Sequence, residues 1–193
     1  MIIKRFQKLT ELPWLNLFQV TYDDHQGKER HWQLASRTQV PKCVSGNFKK
    51  PDAVVIAAFH QGRQKVVICR EYRVPLGDFE YGFPAGLVDA GETVEDATRR
   101  ELREETGLIV TKMIKVSPTL YSSAGMTDES VAMVYVTCEG EPTTAGNQGA
   151  EQIEVILASA PEVGRLCADA ALKFDAKAWL VLSHFAISGR LCG

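Results

Sequence analysis

Residues 93–107, TVEDATRRELREETG, constrain the fold more than any other stretch of the chain. Thr93 followed by Asp96 three positions on has the form of a capping box, and Gly107 that of a C-terminal cap, so the sequence predicts one helix between them. On a wheel turning about 100° per residue, Val94, Ala97 and Thr98 share one arc. Glu101 and Glu105 fall in the middle of that arc, and Glu104 flanks them. Glu95, Asp96, Arg99 and Arg103 take the opposite side, so a solvated face already exists on which the acids could sit. The expectation is an apolar stripe replaced by glutamates in its second half. Half-buried carboxylates at this spacing raise one another's pKa and lose hydration, so they require a positive partner. A hard divalent cation with oxygen ligands meets the requirement, because the i, i+3, i+4 spacing sends all three side chains to one place. Magnesium suits few carboxylates, several waters and a phosphate better than calcium does. An ordinary solvated acidic helix is the alternative that these residues leave open.

The flanking sequence reads as a sheet. AVVIAAF (53–59), a turn at Gln61-Gly62 and KVVICREYRV (65–74) form two runs of branched residues, expected as well-buried core strands. Pro75, Gly77, Gly82, Pro84, Gly86 and Gly91 punctuate 75–91, which is expected to be a loop with a short strand. Upstream, strand-like runs at 14–22 and 30–38 enclose Asp23-Asp24-His25-Gln26-Gly27 and predict an antiparallel hairpin. Downstream, strands are expected at 110–120, 131–137 and 152–157, with an exposed, mobile loop over 140–149. Helices are expected over 161–173 and, capped by Asp175 and ended by Gly189, over 176–188.

With 193 residues the chain is long enough for one main domain, and 45% hydrophobic with 24% charged residues is a globular composition. A formal charge of -2 supplies no general attraction to a polyanion, so no nucleic-acid partner is expected. Five cysteines without a CxxC pair read as reduced thiols, and four histidines show no HxxxH zinc spacing. The N-terminus mixes charge into its apolar residues, unlike a secretory signal. The apolar runs at 53–59 and 178–187 are too short or too interrupted to span a bilayer. No membrane partner and a cytoplasmic location are therefore expected.

Residues 86–108, GLVDAGETVEDATRRELREETGL, resemble the Nudix box, G-x5-E-x7-R-E-U-x-E-E-x-G-U with U aliphatic, and meet every defined position: Gly86, Glu92, Arg100, Glu101, Leu102, Glu104, Glu105, Gly107 and Leu108. The resemblance implies an α/β (α+β) Nudix fold, a mixed sheet sandwiched between helices, here with an N-terminal antiparallel hairpin extension. It implies a hydrolase domain over 51–193 and an extension over 1–50. It further implies Glu101 and Glu105 as main magnesium ligands, with manganese able to substitute. Glu104 would be a further ligand, a water contact or the catalytic base, and the Ala85 carbonyl another metal contact. Arg100 would hold the glutamates in orientation, and Glu92 would support the loop or assist a metal.

Three features outside the box resemble the ADP-ribose pyrophosphatase branch. GFPAG (82–86) is similar to an E-x-P-A-G segment, with Tyr81 and Phe83 departing from it. Arg73 in REYRV stands where the branch has an arginine for the substrate phosphates. SSAGMTDE (122–129) resembles an S-P-G-x-[ST]-x-E loop bearing a catalytic glutamate, with Ala124 in place of the proline. Glu129 is thus a candidate base, against the plainer reading of an exposed loop acid, and Arg73 has the plainer reading of a strand-end ion pair. The resemblance implies a small nucleoside diphosphate substrate, with ADP-ribose leading and GDP-mannose, UDP-glucose and dinucleoside polyphosphates as alternatives. A non-catalytic nucleotide-sensing module is a further alternative. It also implies a homodimer through the N-terminal strands, in which Trp14, Trp32 and Phe18 serve an interface, an adenine or only a local core.

Overall fold

The computed structural model describes residues 1–145 and 152–191, so 146–149 of the expected loop and Cys192 lie outside the described residues. The chain divides into two compact units, Met1–Asp52 with Thr119–Val131, and Ala53–Pro118 with Ala132–Gly193.

The first unit carries a three-stranded antiparallel sheet, β1 (Ile2–Lys8), β2 (Asn16–Asp23) and β3 (Glu29–Ser36). The expected hairpin is β2–β3, with Phe18 opposite Leu34 and Val20 opposite Trp32. Its turn is made by Asp24, whose Oδ1 accepts the N–H groups of Gln26 and Lys28, and by Gly27 at φ +75°. The hairpin is joined by a third strand, β1, which was not expected. A register shift between Ile3 and Arg5 breaks its alternation, so Ile2, Ile3 and Phe6 show no period of two. Phe18 is fully buried with its ring centroid 6.3 Å from that of Phe6, which makes it core; Trp14 and Trp32 are exposed. A short helix α1 (Lys42–Ser45) follows. Lys42 is buried, and its ammonium donates to Asp52 and to Ser130 Oγ, which is how an interior charge is accommodated.

The second unit is built on β4 (Ala53–His60), β5 (Lys65–Arg73), β6 (Asp78–Gly82), β7 (Ala85–Leu87), the greater part of β8 (Ile109–Tyr121) and of β9 (Ser130–Glu139), β10 (Ile153–Ala158) and β11 (Lys173–Phe174). They form one sheet in the order β11-β6-β5-β4-β9-β8, with β10 also on β5 and β7 also on β4. It is mixed, since β11 runs parallel to β6 while β4–β5, β4–β7, β5–β6 and β5–β10 are antiparallel. The helices are α2 (Val94–Thr106), α3 (Ala160–Ala168) and α4 (Ala176–Ser188). Strand alternation divides their packing. Val54, Ile56 and Ala58 of β4 join Ala97 and Leu102 of α2 in one core cluster. Phe59, one residue out of that phase, meets Phe185 of α4 edge-on at 6.1 Å. The branched runs at 53–59 and 65–74 thus fill strands covered on both faces, as their composition demanded.

Two further expectations are corrected. Residues 75–91 hold two short strands, β6 and β7, where one was expected. The helix expected over 161–173 ends at Ala168: Asp169 leaves helical geometry, its Oδ1 accepts the Ala171 N–H, and Lys173–Phe174 pairs with Glu80–Tyr81 instead. That helix also starts one residue early, at a capping box of Ser159 and Glu162. Among the described residues no helix is long and apolar enough to cross a membrane. Cys43, Cys69, Cys138 and Cys167 are free thiols.

Candidate active site

Helix α2 forms where its caps put it. Thr93 Oγ1 accepts the Asp96 N–H, the Asp96 carboxylate accepts the Thr93 N–H, and Gly107 closes the helix at φ +70°. Its buried positions are Ala97, Thr98, Leu102 and Thr106. The apolar stripe therefore continues through Leu102 and Thr106 to the end of the helix. It is not replaced by glutamates, as the wheel had suggested; Glu101 and Glu105 lie within its arc, between the positions of Ala97 and Thr98. Side-chain exposure is 13% for Glu101 and 44% for Glu104, so the acids run from near-buried to open along one side of the helix.

Arg100 ties this side to the loop before the helix. Its Nε and Nη2 each donate to Glu92 at 2.9 Å, a two-pronged contact. Nη1 donates to Glu101 Oε1 at 2.6 Å and to Glu104 Oε2 at 3.2 Å, and Nη2 also reaches the Leu87 carbonyl at 2.9 Å. Asp89 Oδ2 stands 3.9 Å away, and its N–H donates to Glu92 Oε2 at 3.0 Å. The guanidinium holds the Glu92 carboxyl below its ordinary value, and the carboxylates around Arg100 push its own proton affinity further up.

The backbone of β7 completes the arrangement. The Ala85 N–H donates to Glu105 Oε2 at 3.1 Å. At Gly86 an added β-carbon would overlap the Glu101 carboxyl group, so only a glycine lets the strand pass this close to the helix. Burial pushes the Cys69 thiol on β5 well above its ordinary value, and the Glu105 charge adds to the effect. Along α2 runs a cleft of about 890 Å³ bordered by Arg99, Arg100, Arg103 and Glu104.

Three near-buried to open carboxylates on one side of α2, Glu101 and Glu104 held by the Arg100 guanidinium and Glu105 by the Ala85 N–H, are a hard oxygen donor set of the kind that magnesium or manganese takes. Among the described residues no three His, Cys, Asp or Glu side chains are gathered about one point; Glu101 and Glu104 are drawn to Arg100. The structure puts Arg100 in contact with Glu101 and Glu104, and the Ala85 N–H in contact with Glu105. Arg73 ends β5 in ion pairs with Glu71 at 2.7 Å and Glu80 at 3.5 Å. Glu129 belongs to the first unit, where its Oε1 accepts Arg37 Nε at 2.7 Å. Sequence reasoning missed the Leu87 carbonyl and Asp89, because a backbone oxygen and one loop acid leave no pattern of their own.

Residues 49–180 match the family model described as NUDIX domain. The chain belongs to the NUDIX family. Its relatives include putative nudix hydrolase 2 of Caenorhabditis elegans, 33% identical over 149 residues, covering 75% of this chain and 66% of that protein. The ADP-ribose pyrophosphatase of Saccharomyces cerevisiae is 32% identical over 134 residues, 69% of this chain and 56% of its own length. The ADP-ribose pyrophosphatase of Escherichia coli is 33% identical over 156 residues, 72% of each chain. The match thus spans less than two thirds of the first two of these relatives. An ADP compounds hydrolase known by crystal structure superposes with a TM-score of 0.71 over 97% of this chain and 94% of its own, at 20% identity, which establishes the Nudix fold here.

Proposed function

We propose that this NUDIX protein is a magnesium-dependent pyrophosphohydrolase of nucleoside diphosphate derivatives, converting ADP-ribose and water to AMP and ribose 5-phosphate. One observation carries the reading: a single guanidinium, Arg100, holds Glu101 and Glu104, while the backbone at Ala85–Gly86 lies against Glu105 and Glu101 on the same helix. The names of the yeast and bacterial relatives support ADP-ribose as substrate. Glu101, Glu105, Glu104 and the Ala85 carbonyl would hold the ion. Magnesium, or manganese in its place, supplies charge for the diphosphate oxygens and a more acidic bound water.

The chain's own groups have distinct tasks. Arg100 and Glu92 keep the carboxylates in one arrangement before substrate arrives, which is where preorganised electrostatics gain their effect. Glu129 or Glu104 accepts the proton of the attacking water, and the two candidates remain alternatives. Arg73 takes a substrate phosphate by exchanging one of its exposed ion pairs, at little cost in stability. Residues 51–193 form the hydrolase domain, and residues 1–50 a dimerisation element whose exposed Trp14 and Trp32 lie at an interface or an adenine. The free thiols suit a cytoplasmic place of action.

The test is release of phosphatase-sensitive AMP from ADP-ribose with magnesium present. Glu105→Gln is expected to lower turnover by about 10² or more, and an unchanged rate discards the role given to Glu105. Running GDP-mannose, UDP-glucose and a dinucleoside polyphosphate beside ADP-ribose decides the substrate.

A further inference from the structure

The C-terminal turn of α2 is held from outside the helix. The last four carbonyls of a helix lack partners within it. Here the Thr143 N–H donates to one of them, the Thr106 carbonyl, at 2.9 Å. Thr143 also lies directly on Gly107, where an added β-carbon would overlap its Cγ2. Gly107 is therefore required twice, for its positive φ and for the room that Thr143 occupies. Within the turn, the Thr106 hydroxyl donates to the Leu102 carbonyl and accepts the Leu108 N–H.

The segment that delivers Thr143 is itself anchored. His60 is buried, and its Nδ1 accepts the Arg63 N–H at 3.2 Å, which places the ring proton on Nε2. Nε2 then donates to the Gly140 carbonyl at 2.9 Å. The Arg63 guanidinium pairs with Glu141. Three successive points, Gly140, Glu141 and Thr143, are thus fastened to β4, to the turn after it and to the end of α2.

Glu104 and Glu105 are the two residues before Thr106. A helix end without partners frays over its last turn, and fraying here moves both carboxylates. We propose that Thr143 is a positioning residue for the metal-binding carboxylates: its backbone N–H, brought in by the His60–Gly140 anchor, fixes the turn that carries Glu104 and Glu105. The inference rests on the reading of those glutamates as ligands of a divalent ion. The working group is the N–H, so the side chain of Thr143 is replaceable while its donor is not.

Titration of the full chain with Mn2+ by calorimetry, well below the melting temperature, tests this. Thr143→Pro, which removes the donor, is expected to weaken binding about tenfold, in the range found for groups that orient metal ligands. Thr143→Ala, which keeps the donor, stays within twofold of the parent. His60→Leu, which frees Gly140, weakens binding in the same direction and serves if the proline variant does not fold. Folded Thr143→Pro or His60→Leu protein that binds Mn2+ as tightly as the parent, even with a lowered melting temperature, overturns the inference. Parent protein that binds no Mn2+ overturns instead the ligand reading on which it rests.

Discussion

Arg100 shows how much of this site depends on the shape of one side chain. A guanidinium offers five donors in a rigid fork, and Arg100 spends them on Glu92, Glu101, Glu104 and the Leu87 carbonyl. An ammonium has the charge but neither the fork nor the reach. Arg100→Lys is accordingly expected to lower kcat by about 10- to 100-fold, measured on ADP-ribose at saturating magnesium; a loss below twofold removes Arg100 from the positioning role. Gly86 makes the complementary point, since it contributes by lacking an atom. Gly86→Ala sets a methyl group into the Glu101 carboxyl and forces one of them to move. Its expected signature is a fall in activity of at least about tenfold out of proportion to any fall in Tm, read from rate and thermal melt on the same preparation.

Helix α2 was legible end to end because its limits are local: Thr93, Asp96 and Gly107 decide them within one turn at each end. The start of α3 has the same sequence form, Ser159 followed three positions on by Glu162. Glu162 Oε2 accepts the Ser159 N–H at 2.7 Å and the Ser159 hydroxyl at 2.6 Å, with Lys65 3.4 Å away. The Ser159 hydroxyl foremost, then its N–H and Lys65, pull the carboxyl from 4.5 down to about 2. A folded-state value below the unfolded one means that this contribution is complete above pH 4.5 and is lost as the pH falls from there to about 2. Glu162→Gln should therefore be less stable than the parent at neutral pH, and the gap should close across that acid window in urea melts; a gap constant with pH contradicts the assignment. The end of α3 had no such local signal, because β11 pairs with β6 across a long stretch of chain.

For the whole molecule, the exposure of Met1, Ile2, Trp14 and Trp32 in the first unit is the observation behind the dimer proposal. Sedimentation equilibrium is expected to give twice the chain mass of 21.3 kDa, and a single-chain mass at micromolar concentration rejects it. In the second unit, Phe185 of α4 is fully buried against Phe59, on the side of β4 opposite its α2-facing residues. Phe185→Ala should cost about 3–5 kcal/mol of stability in denaturant melts. It should also leave Mn2+ binding of the folded protein unchanged, because Phe185 packs against Phe59 on the face of β4 opposite the α2 cluster.

By itself the sequence determined the glutamate helix and its limits, the two strands covered on both faces, the hairpin of the first unit and the set of carboxylates available to a cation. Each of these follows from periodicity, capping or turn chemistry acting over a few residues. Tertiary structure alone decided that Gly86 presses against the Glu101 carboxyl and Thr143 against the Gly107 cap of α2, and that β1 and β11 are strands at all. Those outcomes depend on partners distant in the chain, and a contact between distant segments leaves no period in either one.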